Sequence, residues 1–212
     1  MRLGWALARV LIAGSSWAVV ALRPPAHQDA AISVVRATAA TLAPFHEAGD
    51  NLLRNASFET PSPVTSVAAD WLKDDDTAEY ALDMRARYGQ RAQRITKSGT
   101  TNPITHYSSV AQRVDIIGGH TYALSVEYSY VATDPTENAQ TVGIVVFSLN
   151  KTGAFVDDGT LVNWGWPQTQ DWVRRSVTFK TPAQASVVVV QFRISINGSL
   201  WLDGAMLKDV SQ

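Results

Sequence analysis

Apolar and polar residues alternate along several stretches of this chain, and this alternation is the feature that most constrains its fold. Between residues 120 and 130, one face carries Tyr122, Leu124, Val126, Tyr128 and Tyr130, and the residues between them are small or polar. Between residues 187 and 196, the apolar face carries Val188, Val190, Phe192, Ile194 and Ile196. A period of two places successive side chains on opposite faces of a β-strand. We therefore predict strands that bury one face against a second layer.

Segments of this kind recur from residue 50 onward, with turn residues between them and almost no helical periodicity. The predicted strands are 51–59, 68–73, 79–84, 91–96, 106–117, 120–132, 140–149, 160–164, 171–180, 186–196 and 199–208. Many short strands without helices are typical of sandwiches and jelly rolls. We predict an all-β fold, a β-sandwich jelly roll over residues 50–212.

Composition limits the function classes that need to be considered. The chain has 212 residues, of which 46% are apolar and 17% charged, as in folded globular proteins. The formal net charge is -1, so no basic excess favours nucleic acid as a partner. There is no cysteine, which excludes disulfides and thiolate-bound zinc.

The first 25 residues resemble a signal peptide. Basic residues precede an apolar run over residues 10–22, and Arg23-Pro24-Pro25 then stops any helix. We predict a signal peptide or membrane-anchor helix over residues 1–25 and a spacer over 26–49. The protein would then be secreted or anchored at the cell surface; an ordinary buried helix is the alternative for this run.

Three blocks of the predicted domain resemble carbohydrate-binding modules of the CenC-like, or family 4/9, group, which are joined to bacterial cellulases and xylanases. The blocks are NLLRNASFE at 51–59, VAQRVDIIGGHTYALS at 110–125, and a third that begins at Trp172 and closes with LWLDGAML at 200–207. The resemblance covers essentially all of residues 50–212. It implies a β-jelly roll with a concave face that binds a polysaccharide or other glycan.

The same resemblance implies a structural calcium ion. Glu59 matches the carboxylate of the first block and Asp203 that of the last, and calcium prefers carboxylate and carbonyl oxygens. We expect the terminal strands that carry these residues to pair. The family often has two adjacent acids in the last block, whereas Gly204 follows Asp203 here. The alternative is that both acids are ordinary surface or turn residues.

Sugar sites combine flat aromatic rings with planar hydrogen-bonding groups. Trp164 and Trp166 flank a glycine just before a proline, so we predict that at least one of them is exposed for sugar binding. The alternative is that one of them closes the end of the sandwich. Gln191, Arg193 and Glu127 lie on polar strand faces and are predicted to bind sugar hydroxyls, provided that their strands are neighbours. The alternative for them is a solvated outer face.

The remaining tryptophans in strands are less informative. Trp71 and Trp201 lie in apolar contexts and are predicted to be core, whereas Trp172 at the start of a strand fits either role.

No catalytic motif is evident in the sequence. The four histidines show no metal-binding spacing, and no glycine-rich phosphate loop is present. We predict an exported, non-catalytic carbohydrate-binding module, soluble or tethered to a membrane. One alternative is a structural or adhesive β-sandwich without sugar affinity. The other is a small polysaccharide lyase or hydrolase that pairs Glu127 with an acid on a neighbouring strand.

Overall fold

The computed structural model describes residues 50–74, 77–99, 107–133, 142–156 and 161–211. The predicted leader and spacer lie outside these residues. Within the described part of the chain, no helix is long and apolar enough to cross a membrane. The strands are β1 (Leu72–Lys73), β2 (Glu79–Asp83), β3 (Ala92–Lys97), β4 (Ser108–Asp115), β5 (Thr121–Ala132), β6 (Val142–Leu149), β7 (Leu161–Asn163), β8 (Thr169–Lys180), β9 (Val187–Ile194) and β10 (Gly198–Asp209).

These strands form two five-stranded antiparallel sheets packed as a β-sandwich. Sheet 1 has the order β1-β4-β9-β6-β7, and sheet 2 has the order β2-β3-β10-β5-β8. The strands from β3 to β10 divide into the orders 4-9-6-7 and 3-10-5-8, which is the arrangement of an eight-stranded jelly roll. The predicted all-β sandwich is confirmed.

The core lies between the two sheets and contains the apolar faces that the alternation predicted. Phe192 from β9 and Tyr128 from β5 are completely buried there. Trp71 is also buried, as predicted, and its ring lies 4.9 Å from that of Phe58 and 5.8 Å from that of Phe192. Because both sheets bury one face, the alternate residues of β9 and β5 must lie on the two outer faces of the sandwich.

The predicted strand over residues 51–59 is wrong, because this segment folds into a compact turn. Asn55 and Phe58 both adopt positive φ angles, of 44° and 57°, which no regular strand accommodates. The segment still lies beside β10, since Leu52 N–H donates to the Leu207 carbonyl at 2.9 Å and Ala205 N–H donates to the Ala56 carbonyl at 2.9 Å. The two ends of the domain therefore meet as expected, but without a continuous strand ladder.

Asn55 holds this turn together, and its substitution tests that role. Its amide nitrogen donates to the carbonyls of Thr60 and Ala69, at 2.8 and 2.9 Å, and its oxygen accepts from Thr60 N–H at 3.1 Å. We expect Asn55→Ala to lower the free energy of unfolding by about 2–3 kcal/mol, through lost hydrogen bonds and a positive φ that alanine disfavours.

Asn55→Gly is the matched control, because glycine keeps the positive φ and loses the hydrogen bonds. We expect it to be about 1 kcal/mol more stable than Asn55→Ala by urea denaturation. A change below about 0.5 kcal/mol for Asn55→Ala would contradict this role.

Candidate functional site

The outer face of sheet 1 carries two of the predicted site residues side by side. Gln191 and Arg193 project from β9, the central strand of the sheet, on the face opposite the core. Small residues lie next to them on the neighbouring strands: Arg193 pairs with Ser109 on β4 and Gly143 on β6, and Gln191 pairs with Ala111 on β4. On β6, Gln191 pairs with Val145, and the backbone of Asn163 and Trp164 lies over Gly143, so the long side chains of Gln191 and Arg193 are enclosed by their neighbours.

The Arg193 guanidinium is the centre of a compact cluster. Its Nε donates to Gln191 Oε1 at 2.7 Å, and its Nη2 donates to the same oxygen. The guanidinium carbon lies 3.9 Å from the centroid of the Tyr107 ring and 5.2 Å from that of Phe147, distances that correspond to cation–π contacts. Arg193 is 4% exposed and Gln191 6%. Burial lowers the pKa of Arg193 from its ordinary value, but arginine remains a cation in proteins.

A carboxylate lies at the edge of the same face. Asp74 follows β1, and its two carboxylate oxygens accept from the Ser109 N–H at 2.6 Å and the Ser109 hydroxyl at 2.5 Å. The residue as a whole is exposed, while its carboxylate is turned onto the completely buried Ser109. Burial of the carboxylate raises the pKa of Asp74 to about 6, and the hydrogen bonds from Ser109 and the charge of Arg193 oppose that rise.

We call these six residues the outer-face cluster: Asp74, Tyr107, Ser109, Phe147, Gln191 and Arg193. It brings together aromatic rings, a planar amide, a planar cation and a carboxylate, which are the groups that bind sugar hydroxyls and C–H faces.

Sequence reasoning missed four of the six residues of this cluster, among them Ser109. Asp74 belongs to an acid run that is typical of a solvated turn, and Tyr107 stands just before β4 without a neighbouring motif. Phe147 alternates with apolar residues on both faces of β6, so periodicity could not assign its face. The alternation along β4 and β9 was the one sequence signal that could have placed Ser109 on the same face as Gln191 and Arg193.

The two predicted tryptophans have different environments. The backbone of Asn163 and Trp164 crosses over Gly143, where an added Cβ would lie 2.1 Å from the Asn163 carbonyl oxygen. This path brings the half-buried Trp164 to the edge of sheet 1.

Trp166 instead enters the core, as the alternative expected for one of the two tryptophans, so it does not serve as the predicted sugar-binding ring. It is 2% exposed, its ring lies 4.6 Å from that of Tyr128, and its Nε1 donates to Asn163 Oδ1 at 3.0 Å. Burial of a large apolar ring is favourable in free energy when its N–H group finds a hydrogen-bond acceptor in the core. Trp166 therefore closes the end of the sandwich and offers no ring face to a sugar.

Glu127 does not join the other predicted binding residues, because β5 belongs to sheet 2 and β9 to sheet 1. Its carboxylate lies on the opposite outer face of the sandwich, where it accepts from the Tyr88 hydroxyl at 3.4 Å. Burial raises the pKa of Glu127, against the charges of Arg174 and Arg87. The condition that these strands be neighbours is not met, so Glu127 cannot contact a ligand together with Gln191.

Trp201 lies on this second outer face as well, so its predicted place in the core is wrong. The ring is half-buried beneath the Arg85 guanidinium, whose carbon lies 4.4 Å from the ring centroid. Arg85 also donates to Ser129 Oγ at 2.8 Å. The loop between β2 and β3, residues 84–91, thus covers part of the outer face of sheet 2.

The same loop is held by the two predicted calcium ligands. Asp203 Oδ2 accepts from the backbone N–H groups of Arg87 and Tyr88, at 2.7 and 2.8 Å. Glu59 Oε1 accepts from the N–H groups of Gln90 and Arg91, at 2.8 and 3.1 Å. Between these contacts, Gly89 has a φ of 61°, and a Cβ there would lie 2.0 Å from Glu59 Oε1. The positive φ and the close approach of the Glu59 carboxylate both favour glycine at this position.

Asp203 is completely buried and sits at a β-bulge of β10. The next residue, Gly204, has a φ of 53°, and its N–H donates to Asp203 Oδ1 at 2.7 Å. This conformation favours glycine and explains why Gly204 stands where a second acid was expected. Burial raises the pKa of Asp203 to about 7, opposed by its backbone hydrogen bonds and reinforced by the nearby charge of Glu59.

These two acids fit a cation in their charge, although both Asp203 oxygens and Glu59 Oε1 already accept backbone N–H groups. None of the described cationic side chains forms an ion pair with Glu59 or Asp203. Among the described residues, no group of three or more acidic, histidine or cysteine side chains could hold a metal ion. Calcium at this position would therefore take its further ligands from backbone carbonyls and water.

The fold occurs in several proteins of known structure. The enzymatically active domain of tailspike protein 4 from bacteriophage CBA120 matches with a TM-score of 0.59 at 12% identity, over 76% of this chain but only 22% of the tailspike chain. The CBM22-1 xylan-binding domain of Paenibacillus barcinonensis Xyn10C matches with a TM-score of 0.53 at 15% identity, over 74% of this chain and 93% of that domain.

Another xylan-binding domain from CBM 22 matches with a TM-score of 0.55 at 14% identity, over 77% of this chain and 98% of the domain. No protein-family model and no curated protein sequence matches the chain. At such low identity the likeness shows a shared fold. The finer resemblance to the CenC-like or family 4/9 group stays a prediction.

Substitution of the two tryptophans tests their different placement. We expect Trp166→Ala to lower the free energy of unfolding by about 3–5 kcal/mol, because it leaves a large cavity beside Tyr128. Trp164→Ala should cost about 1 kcal/mol or less, since its ring is half-buried at a sheet edge. Equilibrium denaturation of both variants measures the difference, and equal losses would contradict the assignment.

Proposed function

We propose that this domain is a non-catalytic carbohydrate-binding module, and that a polysaccharide or oligosaccharide binds on the outer face of sheet 1. The observation that carries this proposal is the outer-face cluster. It places the Gln191 amide and the Tyr107 ring against the Arg193 guanidinium, on the outer side of the central strand of sheet 1. Trp164 at the edge of the same sheet supplies a further aromatic ring.

Two features of this face support sugar binding over a purely structural role. No described residue accepts a hydrogen bond from the Gln191 amide nitrogen, and its oxygen is fixed by Arg193. An amide that is held in one orientation, and whose NH₂ group has no described acceptor, is suited to a hydroxyl acceptor. The neighbours of the same fold include domains named for xylan binding, so this scaffold is compatible with such a role.

An adhesive module without sugar affinity is the main alternative function, and an enzyme is a lesser one. The fold neighbours include an enzymatically active tailspike domain. Glu127 does pair in register with Asp203 on β10, as a catalytic carboxylate pair would require. However, Asp203 is completely buried and engaged by three backbone N–H groups, so substrate could not reach it. Release of reducing ends or unsaturated sugars from polysaccharides would overturn the non-catalytic proposal.

We further propose that the domain is exported, and that residues 1–25 act as a cleaved signal or as a membrane tether. This rests on the basic and apolar pattern of that segment. Fractionation of the producing cells, with detection of the domain in the medium, at the surface or inside, tests it. Retention inside the cells would contradict export.

Affinity electrophoresis against a panel of soluble polysaccharides tests the binding proposal. We expect retardation by at least one glycan, and we expect Gln191→Ala and Trp164→Ala each to weaken it about tenfold, because lost hydrogen bonds or ring stacking cost roughly 1–2 kcal/mol.

Two variants on sheet 2 are the matched controls. Trp172→Ala removes a half-buried tryptophan from β8, and Glu127→Gln neutralises the acid on β5. Both should leave retardation unchanged. No retardation by any polysaccharide would contradict glycan binding, whereas loss in the control variants would move the site to the opposite face.

We also propose that Glu59 and Asp203 bind a structural calcium ion that ties the turn at 51–59 to β10 and to the loop 84–91. A cation would offset two close carboxylates that no described basic side chain neutralises. Its contribution would be to the stability of the domain.

Calcium should therefore raise the melting temperature, and a chelator should lower it. An ion bound only by the folded state at one hundred times its dissociation constant adds about 2.7 kcal/mol. Glu59→Gln keeps the hydrogen-bonding oxygen and removes the charge, so the calcium effect should shrink. Glu79 is an exposed acid on β2 that pairs with Arg94, and Glu79→Gln should keep the full calcium effect. A melting temperature that calcium and chelator leave unchanged would rule out this ion.

A further inference from the structure

We propose that the glycan bound by the outer-face cluster carries a carboxylate, so that the ligand is a uronic-acid polysaccharide and Arg193 is the residue that recognises its charge. This inference rests on the proposed function and adds the chemical class of the sugar. It arises from the environment of a single cation at the centre of the face.

Arg193 has no anionic partner in direct contact. Gln191 is a neutral acceptor, and the two rings beside the guanidinium are uncharged. No described carboxylate forms an ion pair with Arg193. A cation that is 4% exposed has lost most of its hydration, and an unpaired buried charge is costly. The charge of Asp74 acts on Arg193 without direct contact, and an anionic ligand would supply a partner in contact with it.

The guanidinium is also prepared for a planar anion. Gln191 fixes it through the Nε and Nη2 groups, while Tyr107 and Phe147 pack against it. The N–H donors that Gln191 does not use lie on the rim of the planar group, and such a rim matches the two oxygens of a carboxylate. Lysine would provide the charge without this geometry.

Asp74 is a described acid whose charge acts on Arg193, and its position adds a dependence on pH. It is held by Ser109 rather than by Arg193, although its charge is close enough to interact with Arg193 and with Tyr107. Arg193 on β9 and Tyr107, which lies just before β4, are the charged and titratable groups that interact with Asp74. Above its pKa of about 6, Asp74 is anionic and repels an acidic ligand; below that value it is neutral. A uronic acid, with a carboxyl pKa of roughly 3.5, stays charged through this range.

The decisive experiment compares uronic-acid polysaccharides with their carboxyl-reduced forms, which have the same linkages and no charge. We expect the full-length protein to bind an acidic polymer, such as polygalacturonate or a glucuronoxylan, at least tenfold more tightly than the reduced form. The preference should decrease as ionic strength rises. Equal or tighter binding of the reduced form would overturn the inference and leave the proposed function standing. Binding of neither form, nor of any neutral glycan, would overturn both.

Substitutions assign the preference to this cluster. Arg193→Gln should remove it, whereas Arg54→Gln, a loss of the same charge from an exposed side chain of the turn at 51–59, should keep it. Melting curves confirm that each variant is folded. An Arg193→Gln protein that is folded and still prefers the acidic polymer would overturn the role of Arg193.

Asp74→Asn gives a second test of the inference, which does not require a stable Arg193 variant. Wild-type affinity for the acidic polymer should rise several-fold as the pH falls from 7.5 to 5, and affinity for a neutral glycan should not. In Asp74→Asn, affinity for the acidic polymer should be high at both pH values. If the affinity of the wild-type protein for the acidic polymer falls or stays constant as the pH falls from 7.5 to 5, the proposed effect of Asp74 is contradicted.

Discussion

Burial of one face of β9 between the two sheets is the constraint on which the rest of this structure depends. Phe192 and Val190 are completely buried in the core, so Gln191 and Arg193 must point the other way. β9 is the central strand of sheet 1, and its neighbours contribute small residues beside these two side chains. The same packing that stabilises the sandwich therefore fixes the position of the proposed binding groups. A shift of one residue in register would exchange the core face for the binding face.

The two outer faces of the sandwich differ in the groups that lie on them. Sheet 2 is covered in part by the loop 84–91, which Asp203, Glu59 and the Arg85–Trp201 contact hold in place. Sheet 1 holds the outer-face cluster, in which a cation and a planar amide lie among aromatic rings. Under the proposed function, stability and recognition therefore depend on opposite sides of the domain. This separation explains why residues that resembled one another in the sequence, such as Trp164 and Trp201, have unlike environments.

The fold was predictable because it depends on local alternation, which a single sequence shows directly. The sites were less predictable, because they depend on which strands become neighbours. Gln191 and Glu127 look alike as polar residues on strands, yet the jelly-roll order places them on different sheets. Trp166 and Trp164 differ only in how the chain passes Gly143 and Val142, which sequence spacing does not show. The turn at Asn55 replaced a predicted strand because side-chain hydrogen bonds stabilise positive φ angles there.

The central claim is that a glycan binds the outer face of sheet 1, and backbone amide chemical-shift mapping by NMR tests it most directly. The titrant is a soluble oligosaccharide of a glycan that retards the protein in affinity electrophoresis. We expect the largest chemical-shift changes along β4, β6 and β9, close to Ser109, Phe147 and Arg193. The amides of β5, β8 and β10 should change little, because they lie on the far side of the core. Shifts concentrated on sheet 2, or in the loop 84–91, would contradict the account.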